Sequence, residues 1–291
     1  MIVGLEVRDG AVAAVTADEH GAILARSAHA GHTAGSAADA VRAVTGGSSA
    51  RLGVSVRDPL DPSCADVIAS AAAVAGLQAP PRVVTQGTAV ALAEQWSGAA
   101  RGARHVVALT ASARVHAGVV IDGRPFEGAH GLAGAAGWLA LNPVERDDYR
   151  KLGCLEAEIG ASGIVRRLVW RVKSGDLSRV VEMAGGDLAA ITVQQIFDAA
   201  RDGDGVAISV VRDTAKYIGM AIGNLVSVVD PDVVILGGII ADAADLLLDP
   251  SRVEAGRRMP ASLAHKVTIA AAALGDDGPA LGAARAAMLG T

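Results

Sequence analysis

Apolar positions fall into short runs separated by turn residues from the start of the chain. Met1–Val7, Ala11–Thr16 and Ile23–Ser27 read as three strands, the first two joined at Asp9-Gly10 and the next pair at His20-Gly21. The period then lengthens and alternates: a helix over Ala37–Val44, a strand at Arg51–Val56, a helix over Pro62–Ala75, a short strand at Val83–Val84 and a helix over Ala89–Trp96. Gly98–Arg104 reads as a flexible break. After it come an apolar strand (Val106–Leu109), a second strand (Val119–Ile121) and helical spacing over Gly153–Gly160, Gly163–Val172, Leu188–Ala190 and Val193–Asp202. Val206–Val229 is a long helical pattern stopped by Asp230-Pro231-Asp232, and Val233–Leu236 is a fully apolar strand running into Gly237-Gly238. A helix over Ala241–Leu248, a variable stretch carrying Pro250 and Pro260, a strand at Val267–Ala271 and a helix over Ala280–Leu289 complete the chain.

Composition narrows the picture. The chain has 291 residues, 51% of them apolar but only 2% aromatic, so Ala, Val, Leu and Ile must fill the core. The Ala and Gly abundance reads as a GC-rich bacterial source. A net charge of −5 argues against a nucleic-acid surface. Cys64 and Cys154 have no partner spacing and read as reduced thiols. With no signal-peptide pattern and no apolar run near the ~18 residues of a membrane span, the expectation is a cytoplasmic protein.

The stretch Leu109–Trp138 carries the most information about chemistry. Two strands flank a loop of small residues, as in a hairpin that cradles phosphate with backbone N–H groups. Such a loop needs glycine, because a Cβ obstructs the approach of phosphate to the main chain. Here it reads Ser112-Ala113-Arg114-Val115-His116-Ala117-Gly118, and only the last residue is glycine.

Further segments share an order and spacing. Ile196–Asp204 ends in Gly203-Asp204; Ala221–Leu225 and Asp230-Pro231-Asp232-Val233-Val234-Ile235-Leu236-Gly237-Gly238 follow; Leu274-Gly275-Asp276-Asp277 leads to Leu281-Gly282-Ala283-Ala284; Gly153-Cys154-Leu155-Glu156 precedes Ala161-Ser162-Gly163. Together they resemble the signatures of the ROK family (repressors, open reading frames and sugar kinases). The resemblance implies an α/β chain of two domains with the actin-like, ribonuclease-H-like ATPase and sugar-kinase fold and an interdomain cleft. The smaller domain would cover residues 1–108, joined by the last helix at about 280–291, and the larger one residues 109–279. It also implies a homodimer.

Active members of the family move the γ-phosphoryl group of ATP to a sugar hydroxyl, which takes positioning, charge neutralisation and a base. At the family's first phosphate motif, DxGGT, this chain has Glu6-Val7-Arg8-Asp9-Gly10, and Asp9 sets a negative charge where phosphate oxygens belong. The NDANAAALAE segment matches Thr85–Glu94, placing Gln86 at the catalytic base and Thr85 at a sugar-binding Asn. Gln can hydrogen-bond a hydroxyl but cannot take its proton. In the second phosphate loop, Arg114 and His116 suit either a repurposed anion site or a loop freed from phosphate. The sugar motif GExGH has become Gly134-Ala135-Ala136-Gly137-Trp138, so that Ala135 replaces the sugar Glu. Trp138 suits either stacking on a pyranose or filling an emptied pocket.

Glu156 is the surviving sugar-site acid, with a carboxylate at a helix N-terminus as the other reading. The zinc run has become Asp147–Cys154 with one cysteine of three, which speaks against zinc. Gly237 and Gly238 stand where the family contacts adenosine. The basic stripe Arg166, Arg167, Arg171 and Lys173 reads as a solvated face.

The expectation is a family member with degenerate motifs that binds a small carbohydrate and acts as a sensor or scaffold. One alternative is an active kinase using ATP and Mg with Glu6 or Glu156 as base. Another is the effector half of a repressor, although no recognition-helix unit precedes the first strand.

Overall fold

The computed structural model describes residues 1–78 and 80–290. Strands β1 (Ile2–Arg8), β2 (Ala11–Ala17) and β3 (Ile23–Ala30) form a meander, followed by α1 (Ala34–Thr45), β4 (Arg51–Val56), α2 (Ala65–Val74), β5 (Arg82–Thr85) and α3 (Gln86–Ser97). The chain continues through β6 (Val106–Ala111), β7 (Val115–Ile121), β8 (Arg124–Pro125), α4 (Asp147–Leu152), α5 (Cys154–Ile159), α6 (Ala161–Lys173), α7 (Arg179–Met183) and α8 (Val193–Arg201). It ends with α9 (Gly205–Val229), β9 (Val233–Gly238), α10 (Ile239–Asp242), α11 (Ala244–Gly256), α12 (Ala261–Ala264), β10 (Thr268–Ala271) and α13 (Gly278–Leu289). Two five-stranded sheets result, ordered β3-β2-β1-β4-β5 and β10-β9-β6-β7-β8.

The chain divides into two compact units. One comprises residues 1–108, 117–134 and 272–291, the other residues 109–116 and 135–271.

In the first unit, β1 pairs antiparallel with β2 and parallel with β4, which pairs parallel with β5. The central strands are buried along nearly their whole length, while edge strand β3 alternates half-buried and exposed positions, as expected for a sheet edge with one solvated face. With few aromatics available, close backbone packing fills the space. Gly4 and Gly53 are register partners in β1 and β4, and a Cβ at either would fall 1.7 Å from the Ala280 carbonyl oxygen or 1.9 Å from that of Ala283 in α13. The same helix presents Gly282 to α3, where a Cβ would lie 1.7 Å from the Ala89 oxygen.

Several expectations change. Gly98–Arg104 is braced: the Ala99 N–H donates to a Glu94 carboxylate oxygen at 2.7 Å and the Ala100 N–H to the Glu94 carbonyl at 3.0 Å. The other Glu94 oxygen accepts the N–H groups of Ala273 and Leu274 at 2.9 and 3.0 Å, tying α3 to the returning chain. Pro250 sits inside α11. A proline there removes one intrahelical N–H, and the packing of α11 on α9 sustains the helix through it: a Cβ on Gly219 would lie 2.6 Å from that of Glu254. Helix α4 went unseen because its polar sequence has no apolar period. No described helix is long and apolar enough to cross a membrane.

Candidate functional site

In the first unit, the end of β1 and the start of α3 meet. Glu6 is 4% exposed, and its Oε1 accepts a long hydrogen bond of 3.4 Å from Gln86 Nε2. Its Oε2 lies 3.8 Å from Arg8 Nε and accepts no hydrogen bond among the described residues. Burial, opposed by Arg8 and reinforced by Asp276, pushes the Glu6 carboxyl up to about 7. Ser55, the register partner of Glu6 in β4, is also fully buried, with its hydroxyl unpartnered among the described residues.

The neighbouring positions serve the fold. Thr85 caps α3: its hydroxyl accepts the Thr88 N–H at 3.2 Å and donates to the Thr88 hydroxyl at 2.9 Å. Asp9 pairs with Arg57 at 3.1 Å, and Gly10 closes the β1–β2 turn with a φ of 77°. Gly118 is required by a close approach of β7 to α3, because a Cβ there would fall 2.0 Å from the Gly87 oxygen.

The acid at position 6 yields a pH prediction. A carboxyl raised from 4.5 to about 7 keeps its proton in the folded state while the unfolded chain loses it. Stability therefore falls as pH rises from about 4.5 to 7 and stays lowered above, by on the order of 3 kcal/mol. Glu6→Gln is expected to raise the urea midpoint at pH 8 and leave it nearly unchanged at pH 4. Equal shifts at both pH values would contradict the assignment.

In the second unit, the phosphate-loop segment is a closed hairpin. The Ser112 N–H donates to the Arg114 carbonyl at 2.8 Å, the Ser112 carbonyl accepts the Ala161 N–H at 2.9 Å, and Ala113 stands exposed at the tip. Arg114 Nη1 donates to Glu156 Oε1 at 2.7 Å, and the Val115 N–H donates to Glu156 Oε2 at 3.0 Å. Both Glu156 carboxylate oxygens are thus taken by residues 114 and 115. Glu156 also lies in the first turn of α5. His116 accepts the Thr110 hydroxyl on its carbonyl at 3.3 Å. Ala135 is exposed, and its carbonyl accepts the Trp138 N–H at 3.1 Å. The Trp138 indole is 60% exposed, so it does not fill a pocket within its own unit, and Gly137 before it packs against Glu156. Gly237 is buried at the end of β9, and Gly238 has a φ of 65° with space for a Cβ blocked 2.1 Å away by the Ala111 oxygen. Strand packing alone therefore demands glycine at 238.

The segment matching the zinc run contains a cluster that the sequence did not reveal. Cys154 packs with Tyr149, Ala157 and Leu141. Among the described residues no three His, Cys, Asp or Glu side chains are grouped to hold a metal ion. Glu158, 3% exposed, accepts hydrogen bonds from the Tyr149 hydroxyl at 2.5 Å, Arg146 Nη1 at 3.1 Å and Arg167 Nη2 at 3.0 Å. Asp148 pairs with Arg146 at 2.7 Å and with Arg166. Burial and the bond to Glu158 hold the Tyr149 phenol protonated well above its ordinary range. Arg166 and Arg167 therefore turn into this cluster, contrary to the reading of a solvated basic face. Asp204, of the Gly-Asp motif, is likewise structural: it caps α9 through the Ala207 N–H at 2.8 Å and accepts the Arg179 N–H at 2.8 Å.

Residues 70–288 match the family described as ROK. The chain belongs to the ROK family. A glucokinase of Halalkalibacterium halodurans is 32% identical over 197 residues, which cover 66% of this chain and 58% of that enzyme. A xylose repressor of Caldicellulosiruptor bescii is 28% identical over 70% of this chain and 51% of its own length. The match thus spans little more than half of either relative. Among solved structures, the ROK glucokinase of Streptomyces griseus in complex with glucose and AMPPNP aligns over 99% of both chains, with a TM-score of 0.81 and 24% identity. The ROK hexokinase of Thermus thermophilus aligns over 99% of this chain and 98% of its own, with a TM-score of 0.75 and 26% identity. The fold is that of the actin-like sugar kinases.

Proposed function

We propose that this ROK protein recognises a small carbohydrate without phosphorylating it and acts as a sensor or scaffold. The observation that carries the proposal is the Arg114–Glu156 pair. The one cation of the second phosphate loop is spent on the protein's own carboxylate at 2.7 Å, and the loop closes on itself instead of presenting a cradle of N–H groups. In the first loop Asp9 is negative and engaged with Arg57. The residues at these positions do not fit a nucleoside triphosphate. Gln86 can hold a hydroxyl but takes no proton.

The support for a sugar is the accessible Trp138 indole, whose flat face suits the C–H face of a pyranose, next to a segment packed on Glu156. Relatives named as glucokinases and as a xylose repressor support a sugar as the ligand class. The test is calorimetric titration with a monosaccharide panel, with and without ATP–Mg²⁺. The expected result is a saturable heat for at least one sugar, unchanged by ATP and weakened about tenfold or more by Trp138→Ala. No heat with any sugar would refute the ligand class.

A second reading, an active sugar kinase, is favoured by one observation. Glu6 is a buried carboxyl near neutrality beside Gln86, as a proton acceptor would be.

A further inference from the structure

The basic stripe of α6 also walls a cavity of about 590 Å³, shared with α9 and the chain just beyond α11. We propose that this cavity binds a small phosphorylated ring compound, its phosphate held by Arg171, Lys216 and Arg258 and its ring laid on Trp170. The site lies wholly within the second unit and involves none of the residues at the sugar and phosphate motifs.

The charge distribution gives the first argument. Five cations line the cavity, Arg146, Arg167, Arg171, Lys216 and Arg258, against two acids, Glu158 and Asp213. Arg146 and Arg167 are committed to Glu158 on the inner wall. The other three each use only part of their donor set. Lys216 bonds Asp213 at 3.0 Å, Arg258 bonds Glu254 through Nε at 2.7 Å, and Arg171 bonds Asp176 through Nε and Ser209 through Nη1 at 3.0 Å. Among the described residues this leaves Arg171 Nη2, both Nη atoms of Arg258 and two Lys216 protons for a ligand. The existing pairs are surface ion pairs worth about 0–1 kcal/mol each, so a dianion competes with them readily. A phosphate offers several acceptor oxygens to several cations at once, and such charge-assisted bonds are the strong ones.

The second argument is the apolar wall. Trp170 is 66% exposed, and Met220, Val210 and Leu141 line the same space. An indole left this open beside cations suits a ligand with one flat face and one charged end. The local sequence builds the arrangement. Gly223 on α9 admits Arg258, since a Cβ there would lie 3.1 Å from that of Arg258. The volume is that of a small-molecule site.

The test uses the full chain and reads Trp170 fluorescence in a Trp96→Phe, Trp138→Phe background, alongside calorimetry. Glucose 6-phosphate and AMP are titrated against glucose and adenosine, which separates a sugar from a nucleoside as carrier of the phosphate. The expected result is a Trp170 response to one phosphorylated probe and none to its unphosphorylated partner. Lys216→Ala with Arg258→Ala should weaken it at least about tenfold, added salt should weaken it, and Glu156→Gln should leave it unchanged. Arg171→Gln supplies an independent variant should the double one unfold. No response to either phosphorylated probe would overturn the proposal, as would unchanged affinity in the folded variants. So would a concentration-dependent dimer in which Trp170 is shielded from acrylamide, because the face would then belong to a second copy of the chain.

Discussion

Glu158→Leu is expected to destabilise the protein by about 3–5 kcal/mol, read as a lowered urea midpoint at unchanged slope. Glu158 is a nearly inaccessible carboxylate that accepts from Tyr149, Arg146 and Arg167. Leucine is similar in size, so the loss comes from the partners left behind. Arg167 is the most buried of the three arginines around the carboxylate, its side chain 15% exposed, and it would be left facing Thr214 and the Val210 carbonyl without its counter-charge. The same reasoning gives a sharper expectation for the double variant Glu158→Leu, Arg167→Leu. Removing both charges spares the penalty of an unpaired one, so the double variant should be more stable than Glu158→Leu alone. A midpoint for Glu158→Leu within error of the parent would show that the cluster does not hold α4 and α6 together.

Gly282→Val is expected to cost at least about 3 kcal/mol, lowering the thermal midpoint by roughly 5 °C or more. The valine Cβ would start 1.7 Å from the Ala89 carbonyl oxygen, and that atom belongs to helix backbone that cannot turn aside. Both α3 and the sheet contacts of α13 through Gly4 and Gly53 would have to shift together. At Gly256, where nothing lies within 4 Å of an added Cβ, alanine should be neutral or slightly stabilising, because it lowers the entropy of the unfolded chain. Comparable thermal midpoints for the two variants would contradict this account of the Ala- and Gly-rich core.

Most of the order of strands and helices is legible in the sequence, because apolar runs such as Val233–Leu236 and Val206–Val229 leave little choice of period, while β8, α7 and α12 are too short to show one. It hid what depends on partners remote in the chain. Arg114 suited phosphate and Glu156 suited a sugar or a helix terminus, yet the two meet each other across 42 positions. The polar run Asp147–Leu152 has no apolar stripe, and its order comes from Glu158 on α5, which Tyr149 bonds, and Arg166 on α6, which Asp148 pairs. Arg166 and Arg167 looked solvated for the same reason: a carboxylate as buried as Glu158 cannot be recognised before its surroundings are known. Glu6 and Gln86 each sit at a motif position in the sequence, but their meeting across 80 positions follows from the fold, and the near-neutral titration of Glu6 from burial that composition does not reveal. Conversely, motif residues that looked chemical serve the fold. Thr85 and Asp204 are helix caps, and Gly238 answers to a strand oxygen.

The sugar-kinase frame persists in this chain, and we propose that phosphoryl transfer has been lost from it. The most direct measurement is ADP release by the full chain, in a coupled assay with ATP–Mg²⁺ and the sugar that gives the strongest calorimetric signal. The account predicts no sugar-dependent ADP above the enzyme-free rate, for the parent and for Gln86→Asp alike, because restoring a base repairs neither phosphate loop. Sugar-dependent turnover by the parent that disappears in Glu6→Gln would contradict the account and identify Glu6 as the proton acceptor of an active kinase.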